Sequence, residues 1–169
     1  AGYHFKNFYK TFPQNEQADE AAYLTAYCYY LEAPKHSLDQ AYTFKAINEI
    51  QLFINTHPKS DKLEDCNNYM EELRSKLELK SYEIAYQYFK TRQYKAAMTA
   101  FTTTVSEYPD TPYREDALYY KTLAAFKLAN NSLESLQNER FTEAKTALND
   151  FEEAFPNSGR LEDLRKLIH

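Results

Sequence analysis

The sequence predicts an all-α fold in which helical hairpins repeat along the chain. Three observations support this fold class. A short motif centred on proline recurs four times, and the segment before each copy has the apolar spacing of a helix. The chain also has only 2 Gly in 169 residues, so little of it favours long irregular connections. The repeat units are expected to end near Pro13, Pro58, Pro109 and Pro156.

The proline motif has one order in all four copies. An aromatic residue or His precedes the proline, and Asn, Ser or Thr stands two places after it. After three intervening residues come two acidic residues and a small or apolar one. Proline stops the helix before it, and the polar residue can cap the next helix by accepting from its free N–H groups. The acidic pair then lies near the positive end of that helix. The motif therefore predicts a helix, a proline turn and a capped helix.

The residues before each proline fall on one helical face. Small residues are expected where helices approach closely, and larger apolar residues follow one and two turns later. The aligned sets are Ala1, Ala46, Ala97 and Ala144; Phe5, Ile50, Phe101 and Leu148; and Phe8, Phe53, Thr104 and Phe151. This pattern is typical of the second helix of a tetratricopeptide (TPR) repeat and is clearest from Tyr82 to Pro109. The predicted fold is therefore a TPR-like helical-hairpin solenoid (superhelix), one domain over residues 1–169.

Eight helices are predicted, in order, at residues 1–12, 17–32, 39–56, 61–90, 94–107, 113–129, 137–154 and 160–168. The prolines are 45, 51 and 47 residues apart, whereas a usual TPR has about 34 residues. We expect the extra length in loops at 32–37 and 130–132 and in the long helix 61–90.

Ala1 stands at the position of a second helix without a preceding partner helix. An uncapped solenoid end exposes apolar surface. The sequence therefore predicts a fragment that lacks earlier repeats, and it places His169 just inside a new helix.

The charge and hydropathy of the chain exclude several classes of function. A net charge of −5 disfavours non-specific binding of nucleic acid, which needs a basic surface. No apolar run approaches the ~18 residues of a membrane span, and the N-terminal residues lack the pattern of a signal peptide. The chain as given is expected to be soluble.

Catalytic, metal and cofactor sites are not predicted. The histidines His4, His36, His57 and His169 are scattered, and His57 takes the place of an aromatic packing residue. Cys66 aligns with Ala21 and Ala117, and Cys28 aligns with Ala124, so both are expected to be small buried residues. The acidic pairs recur in every copy, which favours a structural role over catalysis.

The predicted functional feature is a tyrosine-rich surface on the first helix of each hairpin. Tyrosine has a large apolar ring and a hydroxyl group, which suits peptide recognition. The alternative is that most of these rings pack between repeats and only two or three contact a ligand. An amphipathic helix or an extended peptide is the expected ligand. The candidate partner-binding residues are Tyr23, Tyr27, Tyr30, Tyr82, Tyr86, Lys90, Tyr119 and Tyr120.

Three stretches of the chain resemble one family, the outer-membrane-assembly lipoprotein BamD, also called YfiO. The first has F-P-Q-N at 12–15, A-Y-C-Y-Y at 26–30, L-D-Q-A-Y-T at 38–43 and A-I at 46–47. The second has E-L-R-S-K-L at 72–77, Y-E-I-A at 82–85 and Y-F at 88–89. The third has Y-K-A-A at 94–97, Y-P-D-T-P-Y at 108–113 and A-L at 117–118. The abundance of tyrosine is similar to members from Bacteroidetes-type bacteria.

The resemblance implies five TPR-like units behind a lipid-modified N-terminal Cys, at the periplasmic face of the outer membrane. It implies binding to the periplasmic domains of the barrel insertase BamA, to other assembly lipoproteins and to unfolded outer-membrane proteins. The later repeats, here about 82–129, would dock the machinery. The sequence departs from the family because the lipid-bearing Cys is absent, and neither Cys28 nor Cys66 is at the start. Membrane attachment would therefore depend on an anchor outside this chain.

Two other hypotheses remain open at this point. The chain could be a generic TPR adaptor of the cell envelope that coordinates cell division or peptidoglycan synthesis. It could also be an enzyme, which would need a cluster of polar residues in a pocket.

Overall fold

A computed structural model describes residues 1–168 of the protein. The described chain is all-α, as predicted, with eight α-helices, a short 3-10 helix and no strand. The prediction that His169 lies just inside a new helix concerns a residue outside the described residues. The helices are α1 (Gly2–Thr11), α2 (Ala18–Glu32), α3 (Ala41–Thr56), α4 (Leu63–Lys90), α5 (Tyr94–Glu107), α6 (Arg114–Asn130), α7 (Glu134–Ala154) and α8 (Leu161–Arg165), followed by the 3-10 helix Lys166–Ile168.

The chain divides into two compact units, unit 1 (Ala1–Leu77) and unit 2 (Glu78–His169). In unit 1, α2 packs against both α1 and α3, and the first part of α4 completes the core. In unit 2, α6 packs against both α5 and α7, with the last part of α4 on one side. The helical hairpins of a TPR-like fold are therefore present in each unit. The arrangement of all hairpins as one solenoid stays a prediction.

The aligned small residues lie in the helix contacts in three of the four copies. Ala46, Ala97 and Ala144 are all 0% exposed. The prediction is wrong for Ala1, which is exposed because α1 begins only at Gly2. Gly2 makes the close contact instead, since a Cβ at this position would lie 3.2 Å from the Cβ of Cys28.

The residue before each proline ends its helix with almost the same backbone geometry. The φ and ψ angles are −126° and 61° at Phe12, −127° and 60° at His57, −129° and 73° at Tyr108, and −136° and 63° at Phe155. Each of these residues still donates its N–H to the carbonyl four places back. The φ angles lie in the range expected of a residue that precedes proline, and the ψ angles are outside the α region that proline disfavours, so the proline position fixes where each helix ends.

The polar residue two places after the proline acts differently from the prediction. Its side chain accepts from the N–H two residues on, which belongs to the turn and precedes the helix. These contacts are Asn15 with Gln17 (2.9 Å), Ser60 with Lys62 (3.2 Å), Thr111 with Tyr113 (3.4 Å) and Ser158 with Arg160 (3.2 Å). The expected capping role is thus corrected: these side chains close the turn one step before the helix begins.

The acidic pairs occupy the first turns of α2, α4, α6 and α8, as expected. Two pairs also contact the next proline turn along the chain. Asp19 Oδ1 lies 3.2 Å from Nε2 of His57, and Ser158 donates to Glu115 at 2.7 Å. The structural role of the pairs therefore extends beyond the helix dipole to the contact between successive repeats.

Arg92 lies in the left-handed region, with φ 61°, in the turn between α4 and α5. Its N–H donates to the carbonyl of Phe89 at 3.0 Å, and the N–H of Gln93 donates to the carbonyl of Tyr88 at 2.9 Å. A helix that ends in this way usually has Gly at the left-handed position. The backbone conformation at position 92 therefore disfavours arginine and favours glycine.

Replacing Arg92 by Gly is expected to raise the free energy of unfolding by about 0.5–1 kcal/mol. A side chain in the left-handed region costs about 1–2 kcal/mol, and the greater freedom of Gly in the unfolded chain offsets part of the gain. Thermal denaturation should show a midpoint higher by about 1–4 °C. Arg92→Ala keeps the unfavourable φ and is the control; an equal gain in that variant would contradict the explanation.

Candidate protein-binding faces

The tyrosines of α2 form a stacked row in unit 1. Tyr23, Tyr27 and Tyr30 follow one another at helical spacing and are all half-buried. Neighbouring ring centroids in this row are 6.2 Å apart in both pairs. Tyr69 of α4 packs against the row, with its ring stacked 4.2 Å from that of Tyr30. We call these four residues the unit 1 tyrosine face.

Hydrogen bonds fix the hydroxyl groups at both ends of the unit 1 tyrosine face. The hydroxyls of Tyr23 and Tyr69 are 3.3 Å apart, and Tyr30 donates to the carboxylate of Glu72. The bond to Glu72, together with burial, raises the pKa of Tyr30 to about 12. Burial and the contact with Tyr69 also raise the pKa of Tyr23. Both phenols therefore remain protonated near neutral pH and can donate hydrogen bonds.

Unit 2 contains a second tyrosine cluster, built from α4 and the α6 region. The ring of Tyr82 stacks on Tyr113 at 5.0 Å, and the ring of Tyr86 lies 4.8 Å from Tyr120. Tyr119 meets Tyr120 edge-on at 5.2 Å. All five are half-buried. We call Tyr82, Tyr86, Tyr113, Tyr119 and Tyr120 the unit 2 tyrosine face.

Four cations lie over rings of these faces. Their distances to the ring centroids are 5.8 Å for Lys62 over Tyr23, 6.0 Å for Lys76 over Tyr30, 5.1 Å for Lys90 over Tyr86 and 4.9 Å for Arg160 over Tyr119. Each contact is of the cation–π type. Lys90, the one predicted site residue that is not a tyrosine, thus lies at the edge of the unit 2 tyrosine face.

Lys62, Tyr113 and Arg160 were missed by the sequence reasoning, although they share one repeat position, four places after a proline. Each covers a tyrosine ring: Lys62 covers Tyr23, Tyr113 covers Tyr82 and Arg160 covers Tyr119. The shared spacing from the proline was the signal that could have found them. The residue four places after the proline therefore contributes a side chain to a tyrosine face in three of the four copies.

All seven predicted tyrosines contact another aromatic ring, so packing between helices occupies part of each ring. Tyr23, Tyr27 and Tyr30 come together in unit 1, and the other four come together in unit 2. Whether these half-exposed rings bind a partner stays a prediction. A cavity of about 760 Å³ adjoins Tyr23, between the start of α2 and the turn at Pro58.

The remaining candidates have structural roles. The imidazole of His57 stacks on Phe53 at 4.7 Å, which confirms it as a packing residue. Cys66 is buried, and burial raises the pKa of its thiol to about 11, so it stays protonated. The expectation for Cys28 is corrected, because this residue is only half-buried beside α1. Within residues 1–168 no group of three or more His, Cys, Asp or Glu side chains could hold a metal ion.

The chain is similar to one protein family and to a protein of known role. The family model YfiO, described as outer membrane lipoprotein, matches residues 1–134. The chain is also 26% identical over 112 residues to the outer membrane protein assembly factor BamD of Caulobacter vibrioides, covering 66% of this chain and 37% of that protein. The chain thus matches little more than a third of the length of this relative. No helix among the described residues is both long and apolar enough to cross a bilayer.

Proposed function

We propose that this chain, which belongs to the YfiO family of outer membrane lipoproteins, is a protein-binding scaffold of the outer-membrane β-barrel assembly machinery. The family supports a role in outer-membrane assembly and protein partners within that process. A Bacteroidetes origin stays a prediction.

The proposed partners are the periplasmic domains of a BamA-like barrel insertase, other assembly lipoproteins and unfolded outer-membrane proteins. The scaffold would act at the periplasmic face of the outer membrane, held there by a lipid anchor of the full-length protein. It would be non-enzymatic, with binding as its only activity.

The observation that carries the proposal is the pair of half-buried tyrosine faces, each edged by cations. A tyrosine fixed by packing and hydrogen bonds loses little conformational freedom when a partner covers its exposed edge. Tyrosine and arginine are also the residue types enriched among the energetically dominant contacts of protein interfaces. The faces therefore combine rigid aromatic surface with hydroxyl and cationic groups that can pair with a peptide backbone or an acidic side chain.

The experiment is a binding titration between residues 1–169 and the purified periplasmic domains of the BamA-like protein from the same genome. Replacing Tyr119 by Ser is expected to weaken this binding about tenfold or more, because loss of a central aromatic contact costs about 2 kcal/mol. Tyr119 is chosen because it lies in unit 2, in the segment proposed to dock the machinery. Circular dichroism would verify that the variant keeps its helices.

Tyr42→Ser is the matched control, since Tyr42 is 49% exposed on α3 and belongs to neither face. This variant should bind as the unmodified chain does. If both variants bind equally well, the tyrosine faces are not the docking surface. If the unmodified chain does not bind these domains but binds an envelope protein of cell division or peptidoglycan synthesis, the adaptor hypothesis replaces the assembly role.

A further inference from the structure

One end of unit 2 carries four exposed cations. The contact between Tyr82 and Phe101 and that between Phe89 and Tyr94 show that α4 and α5 run antiparallel. The pairing of Tyr82 with Tyr113 and of Tyr86 with Tyr120 shows that α6 runs parallel to α4. The end of α4, the start of α5 and the end of α6 are therefore at the same end of the unit. The cations there are Lys90, Arg92, Lys95 and Lys127.

These cations are not balanced by acids of their own segments. Residues 84–106 and 117–133 contain no Asp or Glu, in a chain whose net charge is −5. None of the four cations has an ion pair within the described chain, where the salt bridges involve other residues. Lys90 has the cation–π contact with Tyr86 as its polar interaction. The result, among the described residues, is a patch of four cations without ion pairs on an acidic protein, with Glu134 in the first turn of α7 as the acid that directly follows the second of these segments.

Stability explains only two of the four charges. Lys90 and Lys127 lie in the last turns of α4 and α6, where a cation favours the helix dipole. Lys95 lies in the first turn of α5, where the same dipole disfavours a cation. Arg92 occupies the left-handed position at which Gly would be more stable. Residues that local energetics disfavour are found preferentially where function requires them.

We propose that Lys90, Arg92, Lys95 and Lys127 form a docking surface for an acidic segment of a partner protein. This surface adjoins the unit 2 tyrosine face, with which it shares Lys90, and it goes beyond the contacts proposed for that face. Charge complementarity is the reason for the choice of partner. The side chains between the cations also suit a protein: Thr91 and Gln93 offer hydrogen-bonding groups, and Tyr94 is packed against Phe89.

An anionic membrane surface is the competing occupant. Leu133 directly precedes α7 at the same end and is 75% exposed, so one apolar side chain is available for insertion. Clusters that bind anionic lipids usually contain about four to eight Lys or Arg residues, so four cations are the minimum for such a site. The turn at 91–93 also carries no apolar side chain that could insert into a bilayer. A single leucine contributes little to membrane affinity compared with an amphipathic helix. The patch therefore favours the acidic protein segment.

The test uses the double variant Arg92→Asn with Lys95→Gln in residues 1–169. Asn tolerates the left-handed conformation, and loss of the Lys95 charge relieves the start of α5, so the variant should be at least as stable as the unmodified chain. The probe is an octaglutamate peptide, titrated against isotope-labelled protein with backbone amide shifts as the readout. In the unmodified chain we expect shifts confined to about 89–96 and 126–130, which disappear as salt rises to about 0.3 M.

The double variant is expected to bind the peptide about tenfold more weakly while melting at the same or a higher temperature. Lys35→Gln with Lys59→Gln removes the same charge from exposed positions of unit 1 and should bind normally. Unchanged binding by the double variant, or shifts located elsewhere, would overturn the proposal. Binding to phosphatidylglycerol-containing vesicles without binding to the peptide would assign the patch to a membrane surface and equally overturn it.

Discussion

Replacing Ala97 by Trp is expected to lower the free energy of unfolding by about 3 kcal/mol, the upper end of the range for an overpacked core. Ala97 is 0% exposed and belongs to a core in which Ala85, Ala117 and Ala124 are also 0% exposed. These small side chains allow the helices to approach closely. An indole ring can then enter only by separating α5 from its neighbours.

The repeat provides a matched series for this test. Ala46 and Ala144 occupy the equivalent position and are also 0% exposed, so Trp at either should destabilise to a similar extent. Ala1 shares the alignment but is exposed, and Ala1→Trp should change stability by less than about 0.5 kcal/mol. Urea denaturation followed by circular dichroism would measure all four. If Ala97→Trp were as stable as the unmodified chain, the alignment of the repeats would be wrong.

The helices were predictable because their ends are set locally. A proline constrains the residue before it, and the four residues that precede the prolines indeed end α1, α3, α5 and α7 with similar angles. The start of α7 was placed three residues too late, at 137 instead of Glu134. Gln137 donates back to the carbonyl of Ser132, and Arg140 donates to its hydroxyl. These bonds hold the first turn of α7 in a segment without a proline.

The tyrosine faces were predictable only in part. The spacing of Tyr23, Tyr27 and Tyr30 shows that these rings share one side of α2, because helical period alone decides this. It does not show which side chain of another helix meets them. Tyr69 is 39 residues from Tyr30 and Arg160 is 41 residues from Tyr119, and their positions depend on how successive hairpins stack. Such contacts leave no periodic signal within either helix.

Gln40 is the clearest case of a role that the sequence concealed. The sequence predicts a loop at 32–37 and gives no partner for its backbone. Gln40 is 5% exposed, and its amide nitrogen donates to the carbonyls of Lys35 and Leu38, both at 2.8 Å. Its amide oxygen accepts from the hydroxyl of Thr43 at 2.7 Å. The Gln40 side chain thus donates hydrogen bonds to backbone carbonyls of the loop between α2 and α3, and its bond with Thr43 links this loop to α3.

Replacing Gln40 by Glu is expected to lower the free energy of unfolding at pH 7 by about 3 kcal/mol. The shape of the side chain hardly changes, but two donated hydrogen bonds are lost and a carboxylate faces carbonyl oxygens. Each lost hydrogen bond costs about 0.5–1.5 kcal/mol, and a partly buried carboxylate that faces carbonyl oxygens costs more. A carboxylate just before α3 gains only about 0.3–1 kcal/mol from the helix dipole, so the loss prevails.

The loss in Gln40→Glu should depend on pH. Burial and the facing carbonyls raise the pKa of the new carboxyl in the folded chain above its ordinary value near about 4.3. An acid whose pKa is raised by folding destabilises the fold as pH rises through that higher value. Below about pH 4 the group is protonated in both states and can again donate one hydrogen bond. Stability relative to the unmodified chain should therefore recover between pH 7 and about pH 4.

Gln51→Glu is the control for this experiment. Gln51 lies on α3, the helix that Gln40 directly precedes, but it is exposed, and its amide donates to the side chain of Asn55 at 3.0 Å. That variant should differ from the unmodified chain by less than about 0.5 kcal/mol at every pH. Equal losses in the two variants would show that an added negative charge on α3 is responsible. A large loss confined to Gln40→Glu that shrinks toward pH 4 would locate the effect in the carbonyls of the α2–α3 loop.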